Sequence, residues 1–175
     1  MSDVIAVPHE TVRWSIPTDA TFEDFRARYE AAVPALDLAE AAKARAERPS
    51  WDAILAATAK SAPHGFLRYW STDAGDIMRL AGDDGLCVTY LMGNHTIAER
   101  MYRHDPTVML YAPLRTTIHQ DREGVTRFSI DQPSTQFSSF GIVDIAAVGR
   151  ALDYKVANLL RDLDVAVPPG LLTES

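Results

Sequence analysis

The sequence predicts an α+β fold: an antiparallel sheet with helices packed on one face. Apolar and polar side chains alternate over residues 12–16, 114–119 and 125–131, which is the two-residue period of a half-buried strand. Patterns with helical spacing lie between and after the extended segments. The stretch from Asp121 to Gly124 joins the last two strands as a hairpin turn. We therefore expect the element order β-α-helical insertion-β-α-β-α-β-β-α, with one sheet face left uncovered.

The first third of the chain holds one strand and a long helical region. Thr21 and Asp24 predict a capping box at the start of the first helix. Residues 36–62 are rich in alanine and charged residues, and they contain too little glycine and serine for a flexible tether. We interpret this segment as a helical insertion within a single domain that spans residues 1–175.

The rest of the chain alternates between extended and helical patterns, separated by turn residues such as Gly82, Gly93 and Pro113. In order, we expect a strand over 66–71, a short helix over 76–81, a strand over 86–92, a helix over 95–103, the two hairpin strands, an ordered loop over 132–140, and a final helix starting near Asp144 or Ala147.

Composition limits the classes of function. The net charge of −7 argues against nonspecific nucleic-acid binding. The single cysteine, Cys87, excludes an internal disulfide and fits a reducing compartment. The apolar runs are far shorter than the roughly 20 residues of a membrane-spanning helix, and the first eight residues lack the basic residue of a signal peptide. We expect a cytoplasmic protein with neither nucleic-acid nor membrane partners.

The first candidate group for chemistry lies at the start of the helix over 95–103. His95 and Glu99 are four residues apart and therefore neighbours on a helix, so they could form a proton-transfer couple or half of a metal site. Alternatively, Thr96 and Glu99 form a capping box, and Asn94 is itself a good cap. The other histidines lack the spacing of a metal site, and no glycine-rich phosphate loop is present, so we expect neither metal nor cofactor.

The second candidate is a set of arginines on the predicted strands. Alternation places them on the face opposite the apolar residues, with His119 and Trp70 nearby. The set consists of Arg13, Arg68, Arg115 and Arg127. Guanidinium groups bind carboxylate or phosphate through two parallel hydrogen bonds. This face could be an anion site, a dimer interface, or a solvated surface of weak ion pairs.

The aromatic residues form a third candidate group. Most are expected in the core, since aromatic side chains dominate core burial. A pocket beneath the insertion, walled by Trp51, Trp70 and Tyr90, is the alternative interpretation.

A combination of short motifs resembles a known family. The motifs are Phe66-Leu67-Arg68-Tyr69, Gly93-Asn94-His95, His104-Asp105-Pro106, Leu110-Tyr111-Ala112-Pro113-Leu114-Arg115, Asp131-Gln132-Pro133 and Leu152-Asp153-Tyr154-Lys155. Together they resemble the family called domain of unknown function 302, over about residues 11–163. The resemblance implies a compact α+β fold similar to the saddle of the TATA-binding protein, and it implies no catalytic residue. The chain departs from the family pattern at His95, where proline is frequent, and in the length of the segment over 36–62.

The leading hypothesis is a small-molecule-binding domain that forms a homodimer. Its expected partner is a small organic anion with an apolar part. The ligand-binding residues predicted are Arg68, Trp70, Tyr90, Asn94, Arg115, His119 and Arg127. One alternative is an enzyme of the isomerase, lyase or cyclase type that needs neither metal nor nucleotide. It would transfer protons through His95 and Glu99 while Arg115 holds a carboxylate. The other is a self-association module with an exposed apolar patch at Phe137, Phe140, Ile142 and Val143.

Overall fold

The computed structural model describes residues 4–172 and contains one five-stranded antiparallel sheet. The strand order is β1-β5-β4-β3-β2, so the first strand pairs with the last and β4 lies in the middle. The strands are β1 (Arg13–Pro17), β2 (Leu67–Asp73), β3 (Cys87–Gly93), β4 (Leu114–Gln120) and β5 (Thr126–Asp131).

The helices follow the expected order, which confirms the α+β prediction. They are α1 (Phe22–Ala32), α2 (Leu38–Glu47), α3 (Trp51–Ser61), α4 (Ala74–Met78), α5 (His95–Tyr102), α6 (Pro133–Phe137) and α7 (Val143–Asp162). Thr21 caps α1 as predicted, because its hydroxyl accepts from the Asp24 amide and donates to the Asp24 carboxylate. The predicted loop over 132–140 is wrong in part: it holds α6 and a 3-10 turn, since Pro133 suits the first position of a helix.

One sheet face packs against the helices and forms the core. Alternate residues of each strand point to this face, among them Tyr90, Ile118 and Phe128, and each of these is fully buried. From α1, Phe25 and Tyr29 fill the space above them, and the Tyr29 hydroxyl lies 3.0 Å from Thr116 Oγ1. The apolar stripe of α7 completes the layer. The helices therefore cover the face that carries the apolar half of each alternating strand.

A buried polar cluster joins three distant parts of the chain. The Gln132 amide donates to the Asp153 carboxylate at 2.9 Å and to the Gly170 carbonyl at 2.9 Å, and its oxygen accepts from the Trp14 indole. Asp153 also accepts from the Ser134 amide. Burial raises the pKa of Asp153, although these hydrogen bonds favour its charged form. Two motifs of the family resemblance, around Gln132 and Asp153, thus serve to fix α7 against β1 and α6.

The segment over 36–62 forms α2 and α3. Every residue of α2 is exposed or half-buried, whereas α3 packs on α5. The expected pocket walled by Trp51, Trp70 and Tyr90 does not form: Trp51 is 41% exposed on α3, and Trp70 and Tyr90 lie on opposite faces of the sheet.

The expected apolar patch near α6 is also wrong in part. Phe137 is fully buried in the core, and Phe140 and Ile142 pack partly against it. Of the four residues, only Val143 is strongly exposed within the described chain, at 79%. The turn between α6 and α7 turns these side chains inward, which the local sequence does not reveal.

Candidate functional site

The strand register places three of the four predicted arginines on one face. Arg115 faces Leu91 across the β3–β4 pair, Arg127 faces His119 across β4–β5, and Arg13 faces Asp131 across β5–β1. All of these residues lie on the sheet face opposite the core, which we call the open face. Trp70 also lies there, because it pairs with Leu91.

The charges of the open face are partly neutralised and widely spaced. Arg13 pairs with Asp131 at 2.9 Å, and Arg127 pairs with Asp121. Among the described residues, Arg115 makes neither an ion pair nor a hydrogen bond. Arg115 and Arg127 lie on adjacent strands, four residues apart along the register, so their Cα atoms are about 14 Å apart by standard strand geometry. Such a separation does not suit one small anion.

His119 shares the open face with Arg127 and is half-buried. Burial lowers the pKa of His119, and the charge of Arg127 lowers it further. Arg127 holds the pKa of Asp121 below its usual range, since its guanidinium donates to that carboxylate. The imidazole is therefore neutral near pH 7 and adds no positive charge to this face.

The prediction for Arg68 is wrong, because Arg68 lies on the core face. The register shifts between Arg68 and Trp70, which leaves Tyr69 as the extra residue of a bulge. Arg68 therefore pairs with Met92, while Trp70 pairs with Leu91. Simple alternation put Arg68 and Trp70 on one face, and a single inserted residue reverses that assignment.

Arg68 and Tyr90 instead belong to an internal network around Glu30. Arg68 Nη1 lies 3.2 Å from Glu30 Oε2, and the Tyr90 hydroxyl donates to Glu30 Oε1 at 2.8 Å. The Arg68 guanidinium also lies over the Tyr90 ring, 5.9 Å from its centre. Burial opposes ionisation of Glu30, but hydrogen bonds from Tyr90 and Arg26 and the charge of Arg68 lower its pKa overall. These residues attach α1 to the sheet.

A cavity of about 340 Å³ lies beside α5, and we call it the α5 pocket. Its walls are almost entirely apolar and come from five separate parts of the chain. They include Phe66, Ile97, Ala98, Met101, Met109, Pro113, Leu114, Phe137 and Leu152. The Ala112–Pro113 peptide bond is cis. No contiguous motif contains this set, since the fold brings its members together from residues 66 to 152.

Tyr69 and His95, two polar residues that line the α5 pocket, belong to a chain of hydrogen bonds centred on the His95 ring. The Tyr69 hydroxyl lies 2.9 Å from His95 Nδ1 and accepts from the His95 backbone N–H at 3.0 Å. On the other side of the ring, His95 Nε2 lies 3.0 Å from Thr58 Oγ1. The Thr58 hydroxyl donates its own hydrogen to the Ile54 carbonyl.

These contacts assign the hydrogens of the His95 ring. Because the Thr58 hydrogen is used on Ile54, Nε2–H donates to Thr58. Tyr69 then donates to Nδ1, which carries no hydrogen. Burial lowers the pKa of His95 and raises that of Tyr69, which agrees with a neutral pair. Both ring nitrogens are occupied, so His95 is not a free general base.

Glu99 also lines the α5 pocket but does not couple to His95. Its carboxylate binds the Arg103 guanidinium, with contacts of 2.6 and 2.8 Å, one turn further along the helix. The predicted Thr96–Glu99 capping box is therefore wrong. Asn94 is the cap: its side-chain oxygen accepts from the Thr96 amide at 2.9 Å, and its amide donates to the Gly65 carbonyl.

Sequence reasoning missed Tyr69 and Thr58 as partners of His95. Tyr69 occurs in a motif of the family resemblance, but its direction depends on the bulge. Thr58 lies inside a helix in the segment over 36–62, where a threonine carries no local signal. Their convergence is a consequence of α3 packing on α5.

The structure adds two findings about classes of site. Within residues 4–172, no group of three or more His, Cys, Asp or Glu side chains is arranged to hold a metal ion. None of the helices in that range combines the length and the apolar character needed to cross a membrane.

Comparison with known proteins supports the resemblance. Searched against curated proteins, the sequence finds no match. A solved structure titled as an uncharacterised conserved DUF302 protein from Bacillus stearothermophilus superposes with a TM-score of 0.62 at 12% identity, covering 86% of this chain and 97% of that one. This likeness shows a shared fold. Residues 42–163 match the sequence profile of domain of unknown function DUF302. The chain therefore belongs to the DUF302 family.

Proposed function

We propose that this protein is a binding domain for a small, neutral, largely apolar organic molecule that occupies the α5 pocket. The observation that carries the proposal is the composition of this cavity: an apolar enclosure in which the Tyr69 and His95 side chains are already hydrogen-bonded, to each other and to Thr58. A volume of about 340 Å³ falls at the lower end of the range for small-molecule sites.

The mouth of the α5 pocket supports entry of an apolar ligand. Tyr102 and Met109 line the cavity and are 51% and 48% exposed. Methionine is flexible and polarisable, so Met109 can adjust to ligands of different shape. Exposed apolar side chains at a cavity mouth lose water when a ligand binds, which adds to the driving force.

A neutral ligand fits better than the organic anion expected from the sequence. Arg13, Arg115 and Arg127 lie on the open face, and Arg68 is bound to Glu30. Glu99, which lines the cavity, is held by Arg103, and no Lys or Arg is among the residues that line it in the described structure, so an anion finds no cation there. One hydroxyl on the ligand could share a hydrogen bond with the Tyr69 oxygen.

Binding is supported more strongly than proton transfer. An enzyme that uses His95 as a base needs a free nitrogen lone pair, but His95 Nδ1 accepts from Tyr69. Glu99 is held by Arg103. Proton transfer would require both arrangements to open.

The test uses 1-naphthol as a probe, followed by backbone amide NMR shifts and by titration calorimetry. Ala98→Phe fills the α5 pocket, and Ala42→Phe on the exposed surface of α2 is the matched control. We expect 1-naphthol to shift the α5 amides and Ala98→Phe to weaken binding at least about tenfold, because lost burial of several CH groups exceeds 1.4 kcal/mol. Ala42→Phe should bind normally.

Two results would overturn the proposal. One is equal binding to the wild type and to folded Ala98→Phe, as judged by circular dichroism. The other is the absence of α5 shifts at saturating 1-naphthol. If Ala98→Phe fails to fold, the smaller Ala98→Leu substitution replaces it.

A further inference from the structure

A second cavity lies on the other side of α5, and we call it the basic groove. It has a volume of about 880 Å³ and lies between α3, α5 and α7. Its charged side chains are Arg100 from α5 and Lys155, Arg161 and Asp162 from α7, and His64 joins them from the loop before β2. Three cations and one carboxylate leave a net positive charge, in a chain whose net charge is −7.

The cations of the basic groove are not neutralised by the protein. Among the described residues, Arg100 and Lys155 make neither an ion pair nor a hydrogen bond. Arg161 donates to the neutral side chain of Asn158. Asp162, the carboxylate of the groove, lies 2.9 Å from the His64 ring. The groove therefore gathers three cations and a single carboxylate, and none of the three cations is ion-paired among the described residues.

The ammonium group of Lys155 lies close to Gly65, which also lines the groove. Lys155 is half-buried. If Gly65 carried a Cβ atom, that atom would lie 2.8 Å from Lys155 Nζ. Gly65 also has a φ of +77°, which favours glycine, and a side chain there would displace the Lys155 ammonium group. Half-buried Lys155 has no ion-pair partner among the described residues, and a bound anion would supply one.

We propose that the basic groove binds a small, multiply charged anion through its phosphate group. Two guanidinium groups and one ammonium group line a single groove between two packed helices, and each can donate hydrogen bonds to phosphate oxygens. This inference goes beyond the proposed function, because the groove and the α5 pocket lie on different sides of α5. They share only the walls at Asn94 and Ile97 among the residues that line them in the described structure.

The experiment measures binding of inorganic phosphate by calorimetry and amide NMR at constant ionic strength, with chloride as the reference salt. The double variant Arg100→Gln and Arg161→Gln removes two charges from the groove. Lys43→Gln with Arg45→Gln removes the same charge from exposed α2 and serves as the matched control. We expect the groove variant to bind at least about tenfold more weakly, as hydrogen bonds to charged groups are worth more than 1.4 kcal/mol each.

Each outcome decides the proposal. Amide shifts confined to the ends of α3, α5 and α7, lost in the groove variant and kept in the control, support it. Equal losses in both variants, or equal shifts with chloride, overturn it because they indicate charge screening alone. Stronger binding of acetate than of phosphate would overturn the assignment to a phosphate group. Ala98→Phe should bind phosphate normally. A failure of the phosphate proposal can therefore be distinguished from a failure of the proposal that a neutral molecule binds in the α5 pocket.

Discussion

The polar groups on the two sides of α5 differ in whether the protein supplies their partners. On the α5 pocket side, the ring of His95 is saturated by Tyr69 and Thr58, and the remaining wall is apolar. On the basic groove side, Arg100 and Lys155 have no partner among the described residues. Polar groups that are already hydrogen-bonded gain little from a charged ligand, whereas cations without an ion-pair partner are stabilised by a bound anion. One short helix thus separates the site that we propose for neutral molecules from the site that we propose for anions.

The largest expected effect on stability comes from removing the hydrogen bonds of the His95 ring. His95→Ala removes the partner of Tyr69 and of buried Thr58, so we expect the free energy of unfolding to fall by about 1–3 kcal/mol. Urea denaturation measures this change. His104→Ala is the control, because His104 is exposed and its polar contact, to the Asp144 carboxylate, is long at 3.7 Å. A loss as small for His95 as for His104 would show that the His95 hydrogen bonds do not stabilise the protein.

A smaller effect is expected at the glycine that supports the basic groove. Gly65→Ala and Gly124→Ala both place a side chain at positive φ, +77° and +82°, and each should lower stability by about 1–2 kcal/mol. Only at Gly65 does the new Cβ meet Lys155, whereas at Gly124 it meets open space. Calorimetry should therefore show weaker phosphate binding for Gly65→Ala alone. Equal phosphate affinities of the two variants would show that Lys155 is not part of the anion site.

The smallest expected effect is on the open face. Arg115→Gln removes an exposed cation without an ion pair among the described residues, so stability should change by less than about 0.5 kcal/mol. Binding of 1-naphthol and of phosphate should also stay unchanged. The measurements are the same titrations used for the other variants. Loss of phosphate binding in this variant would show that phosphate binds at the arginines of the open face. The two sides of α5 would then not differ in the way proposed.

The element order and most strands could be predicted because they depend on local patterns. The alternation over 114–119 and 125–131 is strict, and the observed strands are Leu114–Gln120 and Thr126–Asp131. The cap at Asn94 is equally local, since its bond reaches only to Thr96. These features require no knowledge of the rest of the chain.

The candidate sites could not be predicted to the same degree. The sequence singles out His95 and Glu99 as candidate catalytic residues and Asn94 as a candidate ligand-binding residue, and all three line the α5 pocket. It does not single out Tyr69, because the bulge that directs Tyr69 is a property of the β2–β3 pair. The same bulge moved Arg68 to the core. The basic groove was missed entirely, since its cations look like ordinary surface residues on α5 and α7 until the two helices pack together.

The sequence by itself determined which segments are helices or strands and which side of each strand is apolar, because both follow from side-chain period and capping over a few residues. Only the tertiary structure decided where β2 slips by one residue and which cations share a groove. It also decided that Thr58 and Tyr69 meet at His95. Those outcomes depend on contacts between residues far apart in the chain, where the free energy of packing rather than local preference selects the arrangement.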